Sequence, residues 1–109
     1  MTVQQLQEKF ELQILCMPDP DKDVQGGYTG DLLSYVMCSA QTGDAWVTIM
    51  SNLNVVAVAS LTDVACVILA QGVSADAEVI KRAEDRQVNI LASHYSAYEL
   101  CAALSEELK

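Results

Sequence analysis

The chain is predicted to fold as an α/β protein, a mostly parallel sheet of about four to five strands with helices on both faces. Three observations lead there. Strand-like and helix-like segments alternate from Leu12 onward. Two capping-box sequences, Thr2-Val3-Gln4-Gln5 and Ser96-Ala97-Tyr98-Glu99, mark helix starts. And 51% of the 109 residues are hydrophobic, ample for one core at this length and in keeping with a single domain over residues 1–109.

Behind Thr2, the residues Val3, Leu6 and Phe10 recur at helical spacing, so a short N-terminal helix is expected. Residues 12–16 read as a strand, closed by Pro18-Asp19-Pro20-Asp21, where two prolines forbid regular structure. A glycine turn then leads into a helix over 31–39, whose Leu32, Leu33, Tyr35, Val36 and Met37 cover most of its circumference. A helix apolar nearly all round must be buried or covered by a partner. Thr42-Gly43-Asp44 is a turn, and 45–50 a strand that carries Trp46.

Residues 52–60 combine strand-favouring valines with a good helix cap, Asn52, and with Ala57, Ala59 and Ser60, which suit close helix packing. A helix is expected there, because 64–69 is then the next strand and parallel pairing needs a crossover. Gln71-Gly72 ends that strand, and Ser74 caps a helix over 75–87 whose Ala75, Val79, Ile80 and Ala83 face inward. Residues 88–92 form a strand. The last helix runs to Leu108, with Leu100, Ala103, Leu104 and Leu108 on one stripe.

Charge excludes two classes of partner. Fifteen acidic and six basic residues leave a net charge of −9, which repels nucleic-acid phosphates and anionic membranes alike. Lys9, Lys22, Arg86 and Lys109 are scattered, and the one adjacent pair, Lys81-Arg82, shares its helix with Asp76, Glu78, Glu84 and Asp85. That is a solvated face, not a basic patch. Residues 1–10 lack the apolar core of a secretory signal, and no apolar run is long enough to span a bilayer, so a cytoplasmic protein is expected. Cys16, Cys38, Cys66 and Cys101 each sit in apolar company with no close pair, and read as structural thiols rather than metal ligands.

The candidate chemistry centres on the segment running from Asp21 through Gly26, Gly27, Tyr28, Thr29 and Gly30 to Asp31. Glycines ahead of a helix can bring backbone amides up to an anion. Yet no lysine follows Gly30 as a P-loop requires, and the dinucleotide-binding spacing G-x-G-x-x-G is absent. The structural alternative is that Gly26 and Gly27 supply backbone angles closed to other residues, while Asp31 or Thr29 caps the helix. His94 follows a strand end, where α/β proteins place ligands, with Ser93, Tyr95 and Ser96 beside it. Asn52 and Asn54 stand at a comparable strand-to-helix junction. Asp19, Asp21 and Asp23 alternate as metal ligands do, but Val24 and Gly30 occupy the positions where a calcium loop needs glycine and glutamate, so they read as turn residues. Trp46 and Tyr28 read as core or interface.

Taken together, Asp21 to Ser34, the run Gly43-Asp44-Ala45-Trp46-Val47-Thr48-Ile49, the run from Asn54 to Leu61 and the stretch from Ile90 to Glu99 resemble the DRTGG domain. Gly26-Gly27 match the glycines of the family name, with Lys22 in place of its arginine and Gln25 in place of its threonine. The resemblance implies a fold similar to the N-terminal domain of HPr kinase/phosphorylase, and a role in regulation or dimerisation. It carries over no catalytic residue, and no kinase chemistry, since that enzyme's separate P-loop domain has no counterpart here.

Two functional readings follow. The first is a non-enzymatic regulatory or interaction module that forms a homodimer, meets a partner protein and binds a small ligand such as a nucleotide near Gly26, Gly27, Tyr28 and Thr29. The second is a small enzyme with a cleft built from Tyr28, Thr29, Asp31, Asn52, Asn54 and His94. No catalytic residue, metal or further cofactor is assigned.

Overall fold

The computed structural model describes residues 1–108. Ten elements follow one another: α1 (Val3–Lys9), β1 (Gln13–Cys16), β2 (Gly26–Thr29), α2 (Leu33–Ser39), β3 (Asp44–Thr48), α3 (Leu53–Thr62), β4 (Cys66–Leu69), α4 (Ala77–Asp85), β5 (Ile90–Ala92) and α5 (Ala97–Glu107). The five strands lie in the order β1-β5-β4-β3-β2. β2 to β5 are mutually parallel, and β1 joins β5 antiparallel at one edge. The expected α/β architecture is the one found.

Alternation along the strands builds two cores. Trp46, Val67, Leu69 and Ile90 face α2, α3 and α4, where they meet Val36, Val56 and Ala83. Ala45, Val47, Cys66, Ile68 and Leu91 face the other way, onto α1 and α5 through Val3, Leu6, Leu100 and Leu104. Helices therefore cover both faces, as the strand periodicity requires.

Helix starts follow local chemistry. Thr2 and Ser96 form the two expected capping boxes with Gln5 and Glu99. Asn52 caps α3, accepting the Asn54 amide at 3.0 Å. One expected cap is displaced: Asp76, not Ser74, accepts the Val79 amide at 3.1 Å, so α4 begins at Ala77.

The glycine segment departs further from expectation. Gly26 and Gly27 form half of strand β2, and neither has a positive φ; the glycines that do are Gly43 and Gly72. A Cβ on Gly26 would fall 2.9 Å from Asp44 Oδ1, so that glycine leaves room for a neighbouring side chain, whereas a Cβ on Gly27 would make an ordinary contact, Ala45 O at 3.6 Å. Nor do Thr29 and Asp31 cap the next helix. Its N-cap is Leu32, which makes no side-chain capping bond. α2 buries only Val36, leaving Leu32, Tyr35 and Met37 exposed.

The cysteines divide. Cys16 and Cys66 are buried, whereas Cys38 is exposed on α2, against the expectation of four structural thiols, and Cys101 is half-buried. Burial raises the Cys16 thiol, with Glu84 adding to the effect. Burial also pushes the Cys66 thiol from 9.0 up to about 12, against a smaller lowering by Lys22. Above pH 9 the unfolded chain loses a proton that the folded chain keeps, so stability falls as pH rises from 9 towards 12. At pH 10 the expected loss is on the order of 1 kcal/mol. Urea titrations at pH 8 and pH 10 should show it in the parent and a flatter response in Cys66→Ala; equal pH responses would refute the assignment.

Candidate functional site

Parallel strands bring four loops to the carboxyl edge of the sheet, the usual ligand position in α/β folds. Asp31 ends the β2 segment, and its Oδ1 accepts the Thr48 hydroxyl at 2.7 Å and the Ile49 amide at 3.0 Å. The carbonyl of Gly30 beside it accepts the Trp46 indole N–H at 2.9 Å. These bonds tie the β2–α2 corner to the β3–α3 corner. They leave Asp31 as a structural clamp whose carboxylate is already engaged.

Asn52 and Asn54 stand at the start of α3, and Asn52 is occupied in capping. His94 follows β5, two strands over from β3 with β4 between them. At a strand spacing of about 4.8 Å, the His94 loop is roughly 10 Å from the Asn52 loop. The candidate residues thus do not converge on one cleft.

Gly27, Tyr28 and Thr29 instead line a cavity of about 430 Å³ whose opposite wall is α5, through Cys101, Leu104 and Ser105. Gly26 lies at the other end of β2, paired in register with Asp44. His94 lines a different cavity of about 440 Å³, with Phe10, Glu11, Gln13 and Tyr95. A smaller one of about 230 Å³, between Phe10, Tyr95, Glu99 and Leu100, adjoins it. Phe10, Glu11 and Gln13 escaped sequence reasoning because β1 reaches β5 by antiparallel pairing, Gln13 opposite Ala92, which no local pattern reveals.

The loop carrying His94 is held rigidly. Gly72 donates its amide to Ser93 O at 2.9 Å and Gln71 to Tyr95 O at 2.8 Å. Gln71 and Gly72 both take left-handed angles, φ 60 and 74. A Cβ on Gly72 would also meet His94 Nδ1 at 3.2 Å, so glycine there serves both the backbone and the imidazole's seat.

Among the described residues no three His, Cys, Asp or Glu side chains are grouped to hold a metal ion. Among the described residues no lysine or arginine lines any of the three cavities. Among them, too, no helix is long and apolar enough to cross a membrane.

An α/β domain with a five-stranded mixed sheet and ligand-sized cavities at its edges is the class that fold and site define. The family follows from the sequence: the DRTGG domain model matches residues 33–106, more than half of the chain, and the chain belongs to that family. The match begins after Leu32 and takes in the runs from Gly43, from Asn54 and from Ile90. No curated protein matches the sequence. Among solved structures, the chain is similar to the CBS and DRTGG domains of the regulatory region of Clostridium perfringens pyrophosphatase, complexed with its activator diadenosine tetraphosphate. The TM-score is 0.71 at 11% identity, over 94% of this chain and 45% of that one. The likeness is therefore one of fold, and this chain spans less than half the length of that solved chain.

Proposed function

We propose that the protein is a non-enzymatic regulatory module that pairs with a second copy of itself and responds to a small ligand. One observation carries the self-association. From Val24 to Thr62 the only charged residues are Asp31 and Asp44, although the whole chain bears a net −9. That stretch builds β2, α2, β3 and α3. It also holds five of the eight exposed large hydrophobic side chains: Leu32, Tyr35, Met37, Ile49 and Leu61.

Two copies of like charge repel unless their contact lies where charge is absent. β2, four residues long, adds an outer edge with no neighbouring strand, no charge and no proline. A two-fold axis beside β2 would set the same patch against itself.

Sedimentation equilibrium from micromolar to several hundred micromolar should give a mass near twice 11.8 kDa, rising towards it as added salt screens the repulsion. Tyr35→Glu should return the monomer with its fold intact, since Tyr35 is 66% exposed, and should melt no lower than the parent diluted to monomer. A monomer mass for the parent throughout would overturn the reading.

The ligand half rests on the fold relationship. The pyrophosphatase region was captured with a dinucleotide, and a nucleotide-like ligand is the class we carry to this chain. With no lysine or arginine among the described residues that line the cavities, such a ligand would be recognised by its base rather than by its phosphates.

A further inference from the structure

We propose that the twin cavity between the end of α1 and the β5–α5 loop is a site for a purine base carrying an exocyclic amine, or for its nucleoside. This rests on the ligand half of the preceding reading and names where and how that ligand binds. Phe10 and Tyr95 line both compartments, of about 440 and 230 Å³. The larger falls in the range of roughly 300–1,000 Å³ common to small-molecule sites. Two aromatic rings offer flat apolar surface to a heterocycle.

The polar groups suit a base edge. Glu11, Gln13 and His94 line the larger compartment, and their side chains make no hydrogen bond or ion pair among the described residues. The Glu11 carboxylate accepts from an exocyclic amine. The Gln13 amide and the His94 ring can serve the neighbouring ring nitrogens. By contrast Glu99, at the smaller compartment, is committed to the capping box of Ser96.

Both walls are placed before any ligand arrives. Ser93 and Tyr95 are pinned to the end of β4 by the Gln71 and Gly72 amides. On the other side α1 closes in a paired C-terminal turn, the Glu11 amide donating to Glu8 O at 3.3 Å and the Leu12 amide to Gln7 O at 3.0 Å. Glu11 sits at the left-handed position of that turn with φ 52, where glycine is the usual occupant. Gln87 holds the matching position after α4 with φ 58, lining none of the three cavities.

The charge pattern makes phosphate a handicap. Glu11 and Glu99 line the compartments and no described lysine or arginine does, so each added phosphate meets repulsion. The nearest lysine in sequence, Lys9, is paired with Glu107 at 2.8 Å.

The glycine-favouring turn supplies a test in which loss of binding cannot be confused with loss of folding. Glu11→Gly removes the carboxylate while relieving the left-handed backbone, and Gln87→Gly relieves an equivalent turn away from the site. Adenosine, guanosine, inosine and the triphosphates of the first two are titrated calorimetrically against the parent and both variants, with the oligomeric mass followed in parallel. The expected result is millimolar or tighter binding of adenosine or guanosine by the parent. Inosine and the triphosphates should bind about tenfold more weakly, the loss of one charge-assisted hydrogen bond or the gain of a like-charge contact. Glu11→Gly should melt at or above the parent's temperature yet bind at least tenfold more weakly, whereas Gln87→Gly should melt likewise and bind as the parent does. No binding of either nucleoside at millimolar concentration, equal binding by Glu11→Gly, or tighter binding of the triphosphates would each overturn the site. A mass that stays dimeric through such a failure would leave the self-association reading standing.

Discussion

Replacing Asn89 by alanine is expected to cost the protein about 3 kcal/mol, out of the roughly 5–15 kcal/mol that domains commonly have. Asn89 is 2% exposed at the start of β5. Its Nδ2 donates to Ala65 O at 3.0 Å and to Asp19 O at 2.8 Å, and its Oδ1 accepts the Asp19 amide at 3.0 Å. One side chain thereby fastens the Pro18–Pro20 connection to the approach to β4.

Truncation strands the buried Ala65 carbonyl and frees both backbone groups of Asp19. Each unsatisfied group costs about 1–3 kcal/mol when buried, and the two at Asp19, which is partly exposed, should cost less. Asn89→Asp should be no better, because a carboxylate cannot donate to the two carbonyls. Urea denaturation gives the answer: a midpoint shift worth less than about 0.5 kcal/mol for Asn89→Ala would show that the clamp is idle.

Nothing in Val88-Asn89-Ile90-Leu91 announces this role. The partner Asp19 is 70 positions away, and a single polar residue at the head of an apolar strand reads locally as nothing special. The same distinction runs through the whole chain. Helix caps at Thr2, Asn52 and Ser96 were legible because donor and acceptor lie within three residues of one another. The valines of α3 were legible as a helix only through the sheet's need for a crossover, since their own preference points to a strand.

What failed did so where long-range contact outweighed local preference. Backbone freedom alone puts Gly26 and Gly27 in a turn, yet they lie in β2, in register with Asp44 and Ala45, and a Cβ on Gly26 would crowd Asp44 Oδ1. The candidate site shows the same limit. His94 was correctly placed at a strand end, but the residues facing it come from α1 and β1, brought there by the sheet's one antiparallel pairing. Composition was more informative than motif here. The scarcity of charge from Val24 to Thr62 is plain in the sequence, and it becomes an interface argument only once those residues share one end of the sheet.

Asp31 shows how a structural role can be separated from a local one by measurement. A helix cap would tolerate asparagine almost freely, and its contribution would not depend on Thr48. The observed carboxylate instead accepts from the Thr48 hydroxyl and the Ile49 amide, while the Thr48 hydroxyl accepts the Met50 amide at 3.2 Å. Asp31→Ala is therefore expected to cost about 2 kcal/mol, a value already reduced for the solvent exposure of the carboxylate. Asp31→Asn should cost about half as much, keeping one acceptor oxygen without its charge. Combined with Thr48→Val, the double-mutant cycle should return a coupling of about 1 kcal/mol. The consequence extends to the proposed assembly: Asp31 precedes Leu32 and holds the Ile49 amide, and both Leu32 and Ile49 are exposed at the charge-poor end, so in the proposed dimer Asp31→Ala should also favour the monomer. Zero coupling to Thr48, with Asp31→Asn as stable as the parent, would return Asp31 to a capping role and detach it from the interface.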